Sequence, residues 1–151
     1  MALPAGTELT RTVRLVRRIN APPERVSRAW TDPEELARWF TDRVEGALAD
    51  DVRTVLVWRN RRVWWEVVDM ETGRAFTFRR PWLPDERIVT TVRVTFSPSG
   101  YGTQMTLEDG PSQLDQEGGL DAWAESIRTW SEAFVMLRAY LDFSVDIRPR
   151  S

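Results

Sequence analysis

Apolar residues recur every three or four positions through the last part of the chain. This spacing places them along one side of an α-helix, and we predict that 120–142 forms a single helix. Large aromatics favour packing of this helix on a sheet, while a coiled-coil seam is the alternative. The apolar stripe consists of Leu120, Trp123, Ile127, Trp130, Phe134, Leu137 and Leu141.

Upstream of the helix the apolar pattern changes to the alternation of β-strands. Runs rich in Val, Thr, Phe and Trp are separated by short turn sequences, which is typical of an antiparallel meander. Residues 109–119 are interpreted as an acidic, glycine-containing loop. The predicted strands are 12–20, a weaker one near 43–48, 52–59, 62–70, 74–80, 87–97 and 101–108.

Two short helices are expected between the first strand and the meander. Pro22 and Pro23 suit the start of the first. Asp32 is a helix-capping residue, Pro33 fits the first helical position, and Glu35 completes a capping-box pattern. With 151 residues, the chain is predicted to be one α+β domain.

Several segments resemble a known family. Residues 19–26 (Ile-Asn-Ala-Pro-Pro-Glu-Arg-Val), then 29–36 and Trp39-Phe40, resemble the opening of bacterial proteins similar to the heat-shock-protein-90 ATPase activator. Residues 92–96 with 102–107 resemble the last hairpin of that family, and 130–141 resemble its closing helix. The usual Gly-Gly-containing strand after the second helix is not found in 43–53.

This family belongs to the START-like (SRPBCC) superfamily, and the resemblance covers about residues 12–142. It implies a helix-grip fold, in which a curved antiparallel sheet of six to seven strands embraces the long C-terminal helix. It also implies a deep apolar cavity between sheet and helix, used by a ligand or a chaperone partner. The family has no common catalytic residues to carry over.

The composition narrows the chemistry. Cysteine and histidine are absent, and all 21 basic residues are arginine, so thiolate, imidazole and Schiff-base chemistry are excluded. We therefore expect no metal and no organic cofactor. A net charge of −2 gives no reason to expect nucleic-acid binding. No signal peptide or membrane span is recognised, so a cytoplasmic location is expected.

The candidate ligand-binding residues are those predicted to face the space between the sheet and the helix. A filled core built from the same residues is the alternative. Arg17, between Leu15 and Ile19, would orient a polar group of the ligand or would form an ion pair near the sheet end. The remaining candidates are Trp39, Trp58, Trp65, Phe76, Phe78, Val92, Val94, Met105, Trp123, Ile127, Trp130 and Phe134.

Trp82 lies between Pro81 and Pro84 in a predicted loop over 79–87. It is a candidate gate to the cavity or an anchor for a partner, and folding back over the core rim is the alternative.

Three functions remain open. The favoured one is non-catalytic binding of an apolar or lipid-like small molecule. The first alternative is a co-chaperone-like module that stimulates a partner ATPase. The second is a cyclase or hydrolase that uses carboxylate, arginine or tyrosine groups. An enclosed cavity favours the first function, a filled core with an apolar patch around Trp82 favours the second, and convergent buried carboxylates favour the third. A homodimer is also left open.

Overall fold

The computed structural model describes residues 9–149, which form seven strands and three helices. The strands make one antiparallel sheet in the order β1-β7-β6-β5-β4-β3-β2, and α3 packs against the β1 and β7 side. The predicted α+β helix-grip fold is therefore confirmed. The elements are β1 (Thr10–Ile19), α1 (Pro23–Thr31), α2 (Pro33–Trp39), β2 (Arg43–Glu45), β3 (Arg53–Trp58), β4 (Arg61–Glu71), β5 (Ala75–Trp82), β6 (Asp85–Ser99), β7 (Gly102–Gln113) and α3 (Gly119–Phe143).

Local sequence explains how α1 and α2 begin. Proline occupies the first turn of each, where its missing N–H costs no helical hydrogen bond. The Asp32 side chain accepts a hydrogen bond from the backbone N–H of Glu34 at 2.9 Å, as the predicted cap requires. Glu35 does not complete a capping box. It is buried instead, where it binds Arg25 and the Tyr140 hydroxyl and so ties α1, α2 and α3 together.

Two predicted loops are shorter in the structure than in the sequence pattern. Strand β7 continues to Gln113, because the first residues of β1 pair with it, with Thr10 opposite Gln113. The predicted loop over 109–119 therefore begins only after 113. Strand β5 reaches Trp82 and β6 starts at Asp85, so Trp82 ends a strand and does not lie within a loop.

Aromatic side chains fill most of the space between the sheet and the helices. The rings of Trp65 and Phe78 stack with centroids 3.9 Å apart, and Phe40 stacks on Trp130 at 6.1 Å. Trp39 donates its indole N–H to the backbone oxygen of Ala29 at 2.8 Å. Aromatic packing of this kind removes large apolar areas from water without leaving a void. The deep cavity implied by the family resemblance is filled at this position.

Helix α3 presents a different face to the sheet than its apolar stripe indicates. Over its first two turns, the buried positions are Gly119, Ala122 and Ser126, whereas Leu120 is 55% exposed and Ile127 is 36% exposed. Further along the helix, Trp130, Phe134 and Leu137 of the stripe are buried as predicted. A Cβ at Gly119 would lie 1.8 Å from the backbone oxygen of Gln113, so the helix meets β7 too closely for a larger residue. At the start of α3, small residues therefore face the sheet, and the apolar side chains of Leu120 and Ile127 turn outward.

Gly118, which precedes α3, is expected to be sensitive to substitution. Its φ of +81° is strained for L residues, and a Cβ there would lie 3.0 Å from the Trp82 ring and 3.1 Å from Ile88. We expect Gly118→Ala to lower the free energy of unfolding by about 2–4 kcal/mol in a urea melt. Gly100→Ala is the matched control, because Gly100 also has a positive φ but a Cβ there would meet only the Arg18 side chain, at an ordinary contact distance of 3.7 Å. It should cost only about 1–2 kcal/mol, and equal losses would contradict the close contact at Gly118.

Candidate functional site

A cavity of about 50 Å³ remains at one end of the sheet–helix interface. It lies where the β3–β4 hairpin and the β5–β6 turn approach α3. This volume holds about three to five water molecules and is well below the 300–1,000 Å³ typical of sites for drug-sized ligands. The cavity is lined by Phe40, Trp58, Arg61, Val63, Trp65, Arg80, Pro81, Trp82, Leu83, Pro84, Glu125, Ser126, Thr129 and Trp130.

An open cleft of about 780 Å³ adjoins the cavity. The two spaces share Phe40, Trp58 and Arg61 as walls. The far side of the cleft includes residues 146–149, which follow α3. Arg148 holds this segment in place, since it donates to the backbone oxygens of Ala37 at 3.0 Å and Thr41 at 2.5 Å. The cleft therefore gives a molecule larger than the cavity room to extend.

A buried carboxylate organises the inner end of the cavity. Asp109 on β7 is only 1% exposed, and its Oδ2 accepts from Arg80 at 2.6 Å, Ser126 at 2.5 Å and the Trp130 indole at 2.8 Å. These donors come from β5 and α3, so one oxygen connects two strands of the sheet to the helix. Burial by itself raises the pKa of Asp109, but Arg80 and the hydroxyls of Ser126 and Thr90 outweigh it. The pKa of Asp109 is therefore lowered, and the group is a weak base.

Two arginines stand against aromatic walls of the cavity. The Arg80 guanidinium lies 4.8 Å from the centroid of Trp130, and its buried Nε has no acceptor among residues 9–149. The Arg61 guanidinium lies 4.5 Å from the centroid of Trp58, at the opening shared with the cleft. Partial burial and the nearby charge of Arg80 lower the pKa of Arg61. The cavity thus combines apolar ring surfaces with cationic donors.

The structure separates the predicted site residues into three groups. Trp58, Trp65, Trp82 and Trp130 line the cavity. A second group is buried in the core and does not line this cavity: Trp39, Phe76, Phe78, Val92, Val94, Met105 and Phe134. The third group is more exposed and does not line this cavity, although Arg17 borders a groove between β1 and α3: Arg17, Trp123 and Ile127.

The third group is more exposed than the sequence pattern indicates. Arg17 is exposed and donates to the backbone oxygen of Val16 at 2.9 Å, because β1 is an edge strand and its side chain can reach solvent. Trp123 is half-buried and Ile127 is exposed, because Ala122 and Ser126 occupy the face of α3 that meets the sheet. A role of the candidate residues in ligand binding stays a prediction.

Sequence reasoning missed the polar residues of the site. Arg80 continues the inward alternation of Phe76 and Phe78, and Asp109 continues that of Met105 and Leu107. The available signal was a charged residue at an inward-facing position of each of two strands, positive on β5 and negative on β7. Ser126 lay on the helix face next to the predicted stripe and gave no such signal.

Residues 9–149 were also inspected for a metal site and for a membrane-spanning helix. Within this range, no three His, Cys, Asp or Glu residues are grouped so that they could hold a metal ion. None of the described helices is long and apolar enough to cross a membrane.

A curved antiparallel sheet around a long C-terminal helix, with a partly enclosed space at one end, defines a START-like protein. Residues 20–142 match the family described as Activator of Hsp90 ATPase homolog 1-like protein. The chain belongs to this family, as its sequence motifs predicted. No relative was found among curated proteins.

Solved structures share the fold at low sequence identity. Protein MLL2253 from Mesorhizobium loti has a TM-score of 0.77 at 24% identity, over 89% of this chain and 99% of that one. DynU16, a protein in the dynemicin biosynthetic locus, has a TM-score of 0.78 at 22% identity, over 91% of this chain and 49% of that one. The Aha1 dimer from Colwellia psychrerythraea has a TM-score of 0.76 at 14% identity, over 88% of this chain and 97% of that one.

Replacement of Asp109 by Asn should expose the energetic role of the buried carboxylate. Because the pKa of Asp109 is lowered by folding, its charge stabilises the protein above the ordinary Asp pKa. That contribution is lost as the pH falls through the lowered pKa. We expect Asp109→Asn to cost about 3–5 kcal/mol at pH 7 in urea melts, and the difference from wild type to shrink toward pH 2. Glu108→Gln, at the exposed neighbouring position, should show neither effect. A cost independent of pH would refute the ion-pair account.

Proposed function

We propose that the protein binds a small apolar molecule, with an aromatic or similarly flat end, without altering it chemically. The observation that carries this proposal is the partly enclosed cavity between Trp58, Trp82 and Trp130, which opens into the cleft. Ring faces of this kind offer large apolar area and favourable stacking to a flat ligand. The fold and family membership support the proposal, because the START-like arrangement places such a space between sheet and helix.

The cavity volume limits how such a molecule would sit. At about 50 Å³, the cavity accepts only the end of a ligand, and the remainder would lie along the cleft. The aromatic core beneath, including Trp65 and Phe78, leaves no comparable room deeper in the interface. A short, flat, apolar group therefore suits the inner space better than a long lipid chain.

The polar groups at the cavity support binding over catalysis. Asp109 is held by three donors and its lowered pKa makes it a poor general base. Glu125 accepts from the Trp82 indole at 3.3 Å and is paired with Arg128 at 3.4 Å. Both carboxylates are engaged in maintaining the walls, which is the arrangement expected of a preformed binding site.

A second candidate is protein interaction of the kind that the family description names. It is favoured by apolar side chains on the outer side of α3, where Val135 is 58% and Phe143 is 66% exposed. Apolar side chains that face solvent are typical of partner surfaces when they are contiguous. The apolar patch expected around Trp82 does not support this candidate, because Trp82 is half-buried against Gly118 and Ile88.

Small-molecule binding can be tested with a neutral naphthalene probe followed by calorimetry. We expect micromolar to millimolar binding by the wild type, an order of magnitude suited to a small, partly open site. Trp82→Ala removes one wall and should weaken binding by about tenfold or more. Trp64→Ala is the matched control, because Trp64 is also half-buried but lies on the opposite face of the sheet beneath Arg53.

The control should bind the probe as the wild type does. Urea melts of both variants would establish that each remains folded under the conditions of the titration. Absence of binding by the wild type, or equal loss in the Trp82 and Trp64 variants, would contradict the proposed site.

The second candidate makes a separate prediction. Addition of the protein to a purified bacterial Hsp90 should raise its ATPase rate, and Val135→Glu should reduce this effect because it places a charge in the apolar surface. Glu132→Gln, an exposed change on the same helix, is the control. An unchanged ATPase rate with the wild type would remove this candidate.

A further inference from the structure

We propose that the ligand of this site carries a single carboxylate, which binds Arg61 at the junction of cavity and cleft. This inference rests on the proposed small-molecule function and assigns the chemical class of the ligand. One end of its apolar ring would enter the cavity between Trp82 and Trp130, and its carboxylate would lie outside the cavity at the guanidinium of Arg61.

Arg61 is a cation at the cavity wall that lacks an acidic partner. Among residues 9–149, no carboxylate lies within 4.0 Å of its guanidinium, which rests on the ring of Trp58. Arg80, which also lines the cavity, is neutralised by Asp109 at 2.6 Å, and Arg128 is paired with Glu125 at 3.4 Å and Glu132 at 3.6 Å. The donors of Arg61 therefore remain available to an incoming anion.

The position of Arg61 suits recognition of an anionic group attached to a flat molecule. Its side chain forms part of the walls of both the cavity and the cleft, so it is in reach of a ligand in either space. A guanidinium held over an indole is oriented by the ring, and its planar fork matches a carboxylate in two parallel hydrogen bonds.

Surrounding charges select a monoanion. Glu125 and Glu132 are close enough to act electrostatically on Arg61, so an incoming anion meets two carboxylates as well as the arginine. Repulsion from these groups grows with the charge of the ligand and penalises a phosphate dianion more than a carboxylate. A cationic ligand would face the charge of Arg61, which has no carboxylate at ion-pair distance, and is disfavoured by like charge.

Three probes with one ring and different head groups test the inference by calorimetry: 2-naphthamide, 2-naphthoate and 2-naphthyl phosphate. At pH 7, we expect wild-type protein to bind the carboxylate about tenfold or more tightly than the neutral amide, as a charge-assisted hydrogen bond warrants. The phosphate should bind less tightly than the carboxylate. Arg61→Gln should abolish the preference of the protein for the carboxylate over the amide.

Arg62→Gln is the matched control because it removes the same charge from the same hairpin. Arg62 is exposed and pairs with Glu45 at 3.0 Å, away from the cavity. This variant should retain the wild-type preference. Arg61→Lys provides a second test of the same position, since it keeps the charge but loses the planar fork and should retain only part of the preference. Urea melts confirm that each variant is folded.

The outcomes separate the two proposals. Binding of all three probes with equal affinity, or a carboxylate preference that survives Arg61→Gln, would overturn the assignment to Arg61 while leaving small-molecule binding intact. Tighter binding of the phosphate would overturn the monoanion assignment. Failure of every probe to bind would instead refute the proposed function on which the inference rests.

Discussion

The attachment of α3 to the sheet depends on one buried carboxylate oxygen. Asp109 Oδ2 accepts from a guanidinium, a hydroxyl and an indole that belong to β5 and α3. A charge that is only 1% exposed is tolerated because three donors replace its lost hydration. The same contacts fix Arg80 against the ring of Trp130, and so determine the polar wall of the cavity. Stability and the shape of the site therefore have a common origin.

The aromatic core determines where a ligand has room. Trp65, Phe78 and Trp130 occupy the centre of the interface, where packing near crystal density leaves no space for a guest. The remaining free volume lies near the β3–β4 hairpin and the β5–β6 turn. The site consequently lies at the rim of the fold, within reach of Arg61 and of the segment after α3.

The helix contributes to this arrangement through small residues. Gly119, Ala122 and Ser126 let the first half of α3 approach β7 closely, and Ser126 then reaches Asp109. Large apolar side chains on the adjacent face, such as Leu120 and Ile127, are left in contact with solvent. The exposed apolar side chains of the helix are thus a consequence of the close contact that supports the cavity. Whether a partner uses that surface is independent of the small-molecule site.

The sequence by itself determined the elements and their order, because alternation in the strands and the three-four spacing of α3 are local patterns. It also determined the inner face of β5 and β7, on which Arg80 and Asp109 continue the buried parity of Phe78 and Leu107. Only the tertiary structure decided which of two neighbouring faces of α3 meets the sheet, because both have a three-four spacing and the choice depends on how closely the helix approaches Gln113. Only packing decided that the centre is filled and the rim is open, since the same aromatic residues serve either a core or a cavity until their neighbours are in place.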